Sequence, residues 1–187
     1  MSISPSLHRV GGNLALDFAN TISWLGTERE TDHIGTGDGL LAWVADSGLI
    51  RDVPYALPAD RLLPTAHALR DAIRGVMEKV LVGKDAAEHR AALLTILRHS
   101  LEAAKLIDTP AQIVFDDPAN AIIGTIALAA VDLLRDERLA RLNMCPNDDC
   151  HWLFLDMTKN RSRRWCDMAA CGNRAKVAHH RKHHAAH

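Results

Sequence analysis

The stretch that decides the reading is Cys145–Arg181, CPNDDCHWLFLDMTKNRSRRWCDMAACGNRAKVAHHR. It holds all four cysteines of the 187-residue chain, Cys145, Cys150, Cys166 and Cys171, as Cys-x4-Cys, fifteen residues, then Cys-x4-Cys. Two such pairs supply four thiolates, a closed tetrahedral set that suits a structural metal ion and leaves no open position for a substrate. Pro146 and Asn147 favour a tight turn that folds the first two sulfurs toward one point. Two disulfides or unrelated buried thiols are the alternative, but pairs this close make an odd disulfide framework, and a cytoplasmic chain keeps its thiols reduced. One structural Zn2+ ion is the expected occupant, with iron as the competing metal for four thiolates. A module this small has little core of its own, so metal binding should supply much of its folding free energy, on the order of 10 kcal/mol.

Between the cysteine pairs, HWLFLDMT and SRRWC have strand composition and are joined by a polar KNR turn, which predicts a hairpin bringing Cys166 back to the first pair. The run ACGNRAKVAHHRKHH predicts a helix whose first turn carries Cys171. Knuckle, hairpin and helix around one ion describe a treble clef. Trp152 and Trp165 are expected in its small core.

Charge divides the chain at the same place. Residues 1–150 hold 14 Lys+Arg against 21 Asp+Glu, a balance of −7, whereas residues 151–187 hold 8 against 2, a balance of +6 before any of six histidines protonates. A concentrated cationic segment attracts polyanions whatever the whole chain's net charge of −1. Lys159, Arg161, Arg163 and Arg164 cluster near the expected hairpin tip and second strand. Arg174, Lys176, Arg181 and Lys182 recur along the expected helix, where positions 174, 178, 181 and 182 share one face. DNA is the expected partner, with phosphate contacts dominating affinity; a solvated surface charge run, RNA or a protein partner are the alternatives, and a single finger suggests a homodimer.

Working outward, residues 1–140 read as a mainly helical domain. The opening NLALDFANTISW is apolar at 14, 16, 18, 22 and 24 and fits a helix or a strand-to-helix transition. LLAWVADSGLI predicts a short helix ending near Gly48, with Leu40, Leu41, Trp43 and Val44 on one face. Leu62, Ala66, Leu69, Ile73, Val76, Met77 and Val80 predict an amphipathic helix with Pro64 in its first turn and a stop at Gly83. Asp85 with Glu88 reads as a capping box for a further helix burying Leu93, Leu94, Leu97, Leu101 and Ala104. Ala111 to Phe115 is the strand candidate, and Pro118 to Arg135 is apolar on most sides, as a central core helix would be. The fold class expected is α+β: a mainly helical domain with a minor sheet over 1–140, then a treble-clef-like zinc finger with a basic tail over 141–187.

At these residues the chain resembles a known family. The cysteine spacing, the FLD and RRWC segments and the run Cys171-Gly172-Asn173-Arg174 occur in the order seen in the CGNR zinc finger. GGNLALDFANT at 11–21 resembles the opening motif of the ABATE domain that accompanies that finger. The resemblance implies a stress-induced bacterial transcription regulator with an N-terminal ligand-sensing or regulatory part, and it implies no particular ligand.

Asp17, Asn20, Thr21 and Trp24 would share one side of a helix, and Arg70 with Arg74 lie one turn apart. These six are the candidate lining of a small-molecule site, with backbone capping and ion pairing as their alternative roles. The N-terminal half carries no nucleophile elbow, phosphate loop or metal-ligand cluster, so an enzyme is not expected. With no apolar stretch near the roughly 20 residues that span a bilayer and no secretion-signal layout, the expected location is the cytoplasm, with no membrane partner.

Overall fold

The structure, a computed structural model, describes residues 9–49 and 57–184, and beyond Ala178 the last helix by its backbone alone. Helix α1 (Leu14–Ala19) is one and a half turns long, yet Ala15, Leu16, Phe18 and Ala19 are all buried. Asn13 caps it by accepting the Ala15 N–H at 2.8 Å, and so short a helix persists only because its apolar side chains are enclosed by the longer helices. The chain then crosses a two-residue antiparallel pair, β1 (Ile22–Ser23) with β2 (Thr31–Asp32). The opening segment is therefore a helix followed by a strand.

Helix α2 (Gly37–Ser47) starts at Thr36, whose hydroxyl accepts the Gly39 N–H, and stops at Gly48 in the left-handed region at φ 69°. Its Trp43 meets Phe18 edge-on with ring centroids 5.0 Å apart, a favourable aromatic geometry. Helix α3 (Ala59–Leu81) buries Leu62, Ala66, Leu69, Ile73, Val76 and Met77. Pro64 falls in its second turn rather than the first, because the helix begins five residues earlier; the missing N–H costs one bond near the helix start. Helix α4 (Ala87–Leu101) has Ala86 in the capping position with no side-chain cap. The expected capping box is not formed: the Asp85 carboxylate accepts from Arg90 at 2.8 Å instead. Leu93 and Leu97 are buried as expected, whereas Leu94 is exposed and Ala104 lies beyond the helix.

Strands β3 (Lys105–Ile107) and β4 (Gln112–Val114) form an exposed antiparallel hairpin. Helix α5 (Pro118–Arg135) starts with proline at its first position and Asp117 accepting from the Ala119 and Asn120 N–H groups, the favoured chemistry for a helix start. By length and a mean hydropathy of 1.3 it could cross a bilayer, an exception to the expectation that no such stretch exists. Here it packs on α1, α3 and α4, and Ile122, Ile126, Ala127 and Ala130 are fully buried in the core.

A 3-10 turn (Glu137–Arg141) leads into β5 (Leu142–Met144), which pairs with β6 (Leu153–Leu155). This corrects the expected hairpin. HWLFLDMT does supply a strand, but its partner is Leu142–Met144, and residues 162–166 are irregular. The reason is burial: Leu142, Leu153 and Leu155 join the helical core, so the strand is drawn to the body of the protein rather than to the polar SRRWC run. A π-turn (Met168–Gly172) then opens helix α6 (Asn173–His184). The fold is a helical domain with small sheets followed by a finger whose four cysteines cluster.

Candidate metal centre

The first cysteine pair occupies the turn of the β5–β6 hairpin. The Cys145 N–H donates to the Trp152 carbonyl at 2.8 Å and the Cys150 N–H to the Asn147 carbonyl at 3.0 Å, which folds both sulfurs inward.

The second pair is brought in by the loop after β6, which the buried Asp156 and the half-buried Arg163 hold. The Asp156 carboxylate accepts from the Thr158 N–H and hydroxyl and from the Arg163 N–H at 2.6 to 2.9 Å; the bonds from Thr158, then Arg163, keep its carboxyl below the usual range despite burial. Arg163 donates to the carbonyls of Val10, Leu155, Trp165 and Cys166 and lies 4.4 Å from the centre of the Phe154 ring. Asp167 caps the π-turn by accepting the Ala170 N–H at 2.7 Å. The Met168 thioether lies over Gly172, where a Cβ would displace it.

All four sulfurs lie within 4.8 Å of one another and all four residues are buried. The Sγ of Cys166 is 3.5 Å from those of Cys150 and Cys171, close to the roughly 3.8 Å edge of a tetrahedron of thiolates each about 2.3 Å from zinc. The sulfurs also cannot all ionise without a cation between them. Hydrogen bonds from Cys150 and Cys166 hold Cys145 down at about 2, and the hydrogen bond with Cys145, with burial and the neighbouring charge acting the same way, pushes Cys150 up to about 12 and raises Cys166. A divalent cation removes that conflict, since each thiolate then faces positive charge. The donor set fits one structural zinc ion, and the Arg174 guanidinium adds a hydrogen bond to the Cys171 sulfur at 2.9 Å.

The residues around this centre identify the chain's relatives. Residues 141–184 match the CGNR zinc finger, and residues 12–137, more than half of the chain, match the ABATE domain, described as "Putative stress-induced transcription regulator". The chain belongs to the ABATE family. No curated protein matches it. An ABATE domain of transcription-regulator type and a zinc finger thus stand in series.

The cations expected on one surface divide into two groups. Lys159, Arg161, Arg164 and Lys176 are exposed, and among the described residues none has an acidic partner; Arg164 lies 5.3 Å from the Trp165 ring centre. Arg163 is committed inward, as above. Arg174 is held by Cys171, by Asp149 at 3.4 Å and against the Trp24 ring at 4.2 Å. The side chains of Arg181 and Lys182 lie outside the described residues. Trp152 and Trp165 pack on the cysteine cluster with Phe154 and Val10.

The six candidate pocket residues of the ABATE domain do not converge on one cavity. The Asp17 carboxylate accepts the Gly11 N–H at 2.8 Å; burial raises its pKa, with Gly11, Arg9 and Arg163 acting against the rise. Asn20 takes both the N–H and the carbonyl of Leu153 at 2.8 Å, a buried clamp between domain and finger. The Thr21 hydroxyl donates to the Phe18 carbonyl and accepts from Arg70. Arg70, buried in α3, grips both oxygens of Asp32 at 2.6 and 2.8 Å. Arg74 pairs with Glu78 and donates to the His151 carbonyl at 3.0 Å. Trp24 lines two cavities, both at the finger.

Sequence reasoning missed Arg29 and Asp149, which pair across the two halves, and Asp32, which holds Arg70 within the helical domain.

Proposed function

We propose that this ABATE protein is a DNA-binding transcription regulator acting in the cytoplasm, without enzymatic activity, whose zinc finger docks on DNA while the helical domain senses a small ligand. The observation that carries this reading is the state of the charges on the finger. Three of its four acids are engaged internally, Asp149 by arginines, Asp156 by the loop and Asp167 by the π-turn, and Asp148 is exposed, while Lys159, Arg161, Arg164 and Lys176 remain exposed and unpaired among the described residues. Such a surface attracts phosphate without self-neutralising.

For the sensor half, a groove of about 340 Å³ between α3, α4 and the start of α5 replaces the six residues expected from the sequence. Its rim carries Arg61, Thr65, Thr95 and His99 over a floor of Leu62 and Ile123, a set suited to a small organic anion with an apolar body.

The test is binding of zinc-loaded protein to duplex DNA by fluorescence anisotropy across a salt series. Changing Lys159, Arg161, Arg164 and Lys176 together to alanine should flatten the slope of log affinity against log salt by about three to four. Unchanged binding would put the DNA surface elsewhere, whereas no binding by the parent would refute the DNA reading and favour the runner-up, a protein-interaction module, which the exposed Met168 and Val177 at the start of α6 support. A complex that survives nuclease and high salt would point the same way, whereas preference for RNA over duplex DNA would change the polyanion alone. A second copy in the DNA complex, read from its mass, tests dimerisation.

A further inference from the structure

Between β1 and β2 the ABATE domain sends a tight loop across to the finger. Trp24 heads it with φ 59°, a left-handed conformation that bulky side chains rarely adopt. The loop is closed on itself: the Trp24 carbonyl accepts the Thr27 N–H at 3.1 Å and the Thr27 hydroxyl at 2.8 Å, and the Gly26 N–H donates to Glu30 at 2.7 Å. Its base is pinned by the Trp152 indole N–H on the Ile22 carbonyl at 2.7 Å. So constrained, the loop presents the Trp24 ring and Arg29 to the start of α6.

There the guanidinium carbons of Arg29 and Arg174 lie 3.8 and 4.2 Å from the centre of the Trp24 ring. Asp149, from the cysteine knuckle, bridges the two arginines at 3.7 and 3.4 Å. Arg174 meanwhile donates to the sulfur of Cys171. An arginine carries its charge on a long flexible stem, and a single bond to sulfur does not fix it; the indole face and Asp149 do. The left-handed backbone at Trp24 sits at this contact.

We infer that Trp24 is a positioning residue through which the ABATE domain holds Arg174 on the Cys171 thiolate, so that the finger's grip on zinc depends on the loop between β1 and β2. Donors to ligating atoms orient the ligand and tune the metal, and their loss commonly lowers affinity 10- to 100-fold. Movement of this loop would free Arg174 and loosen zinc together, giving the helical domain a physical route to the finger. The inference needs zinc in the site and is independent of whether DNA is the partner.

The test follows zinc transfer from the full-length, zinc-loaded chain to a chromogenic chelator, beside the thermal midpoint of the same samples. Trp24→Ala and Arg174→Ala should each speed transfer about 10-fold, and Trp24→Phe, which keeps an aromatic face, should stay within about threefold of the parent. The double variant should release zinc no faster than Arg174→Ala alone, because Trp24 acts through that arginine. Trp24→Gly separates the contact from backbone strain: glycine accepts the left-handed backbone without strain, so transfer should still accelerate as in Trp24→Ala while the midpoint falls less than it does there. Parent-like transfer in Trp24→Gly would overturn the proposal, as would single effects that multiply in the double variant.

Discussion

Between Leu14 and Arg135 the chain buries leucine, isoleucine and alanine side chains against one another, whereas between Cys145 and Cys171 the separate small core has only the four cysteines and Phe154 fully covered. The first region can stand on apolar burial; the second has too little of it and relies on an ion. The boundary is not where the cohesion changes, however. Leu142, Leu153 and Leu155 belong to the helical core although they form the finger's own hairpin. The finger is thus half welded to the body and half held by metal.

The largest effect should come from removing zinc, by chelation or by Cys166→Ser. On the order of 10 kcal/mol of folding free energy is at stake in the module. Amide exchange should then rise in the knuckle and the π-turn while α3 and α5 stay protected; protection unchanged throughout would show that the finger does not depend on its ion. Next is Asp32→Ala, which strands the buried Arg70 cation without its carboxylate and should cost about 3–5 kcal/mol in a denaturant titration. Burial alone would raise the Asp32 pKa, but the hydrogen bonds and charge of Arg70 outweigh it and the carboxyl sits below its usual range. Its stabilisation is therefore complete above the unfolded carboxylate pKa of about 4 and lost as pH falls through the lowered folded value. The parent's thermal midpoint should drop across that window more than the variant's does.

Asn20→Ala probes the weld, because it leaves the Leu153 N–H and carbonyl buried and unpaired. About 2 kcal/mol should be lost, with zinc content unchanged at saturating metal by elemental analysis; loss of zinc would mean that the weld and the ion act as one. The smallest effect on stability belongs to Arg164→Ala, within about 0.5 kcal/mol. In the DNA assay the same change should lower the salt slope by about one, so an exposed cation can be separated from the structural Arg163.

The cysteine spacing was sufficient to specify the metal set, because four thiolates with tight turns between the members of each pair have few other uses. The α3 and α5 stripes were equally readable, since long apolar repeats at helical spacing have one burial solution. Leu94 was misread because a stripe written in sequence does not say where the neighbouring helices stop, and the capping box failed because Asp85 found Arg90 instead. The hairpin was misplaced for a related reason: strand composition in HWLFLDMT identifies a strand and says nothing about its partner, which the leucines around the helical core decided.

By itself, the sequence determined which residues bind the ion, which helices form the body and that the basic charge lies at the C-terminal end. These are properties of local spacing and composition. Only the tertiary structure decided that Arg163 and Arg174 are spent inside the finger, that Asn20, Thr21, Arg70 and Arg74 brace backbone and partners rather than line a pocket, and that Trp24 reaches the zinc site. Each of those outcomes depends on groups far apart in the chain meeting at hydrogen-bond or stacking distance, and no local pattern encodes which partner a polar side chain will find once it is enclosed.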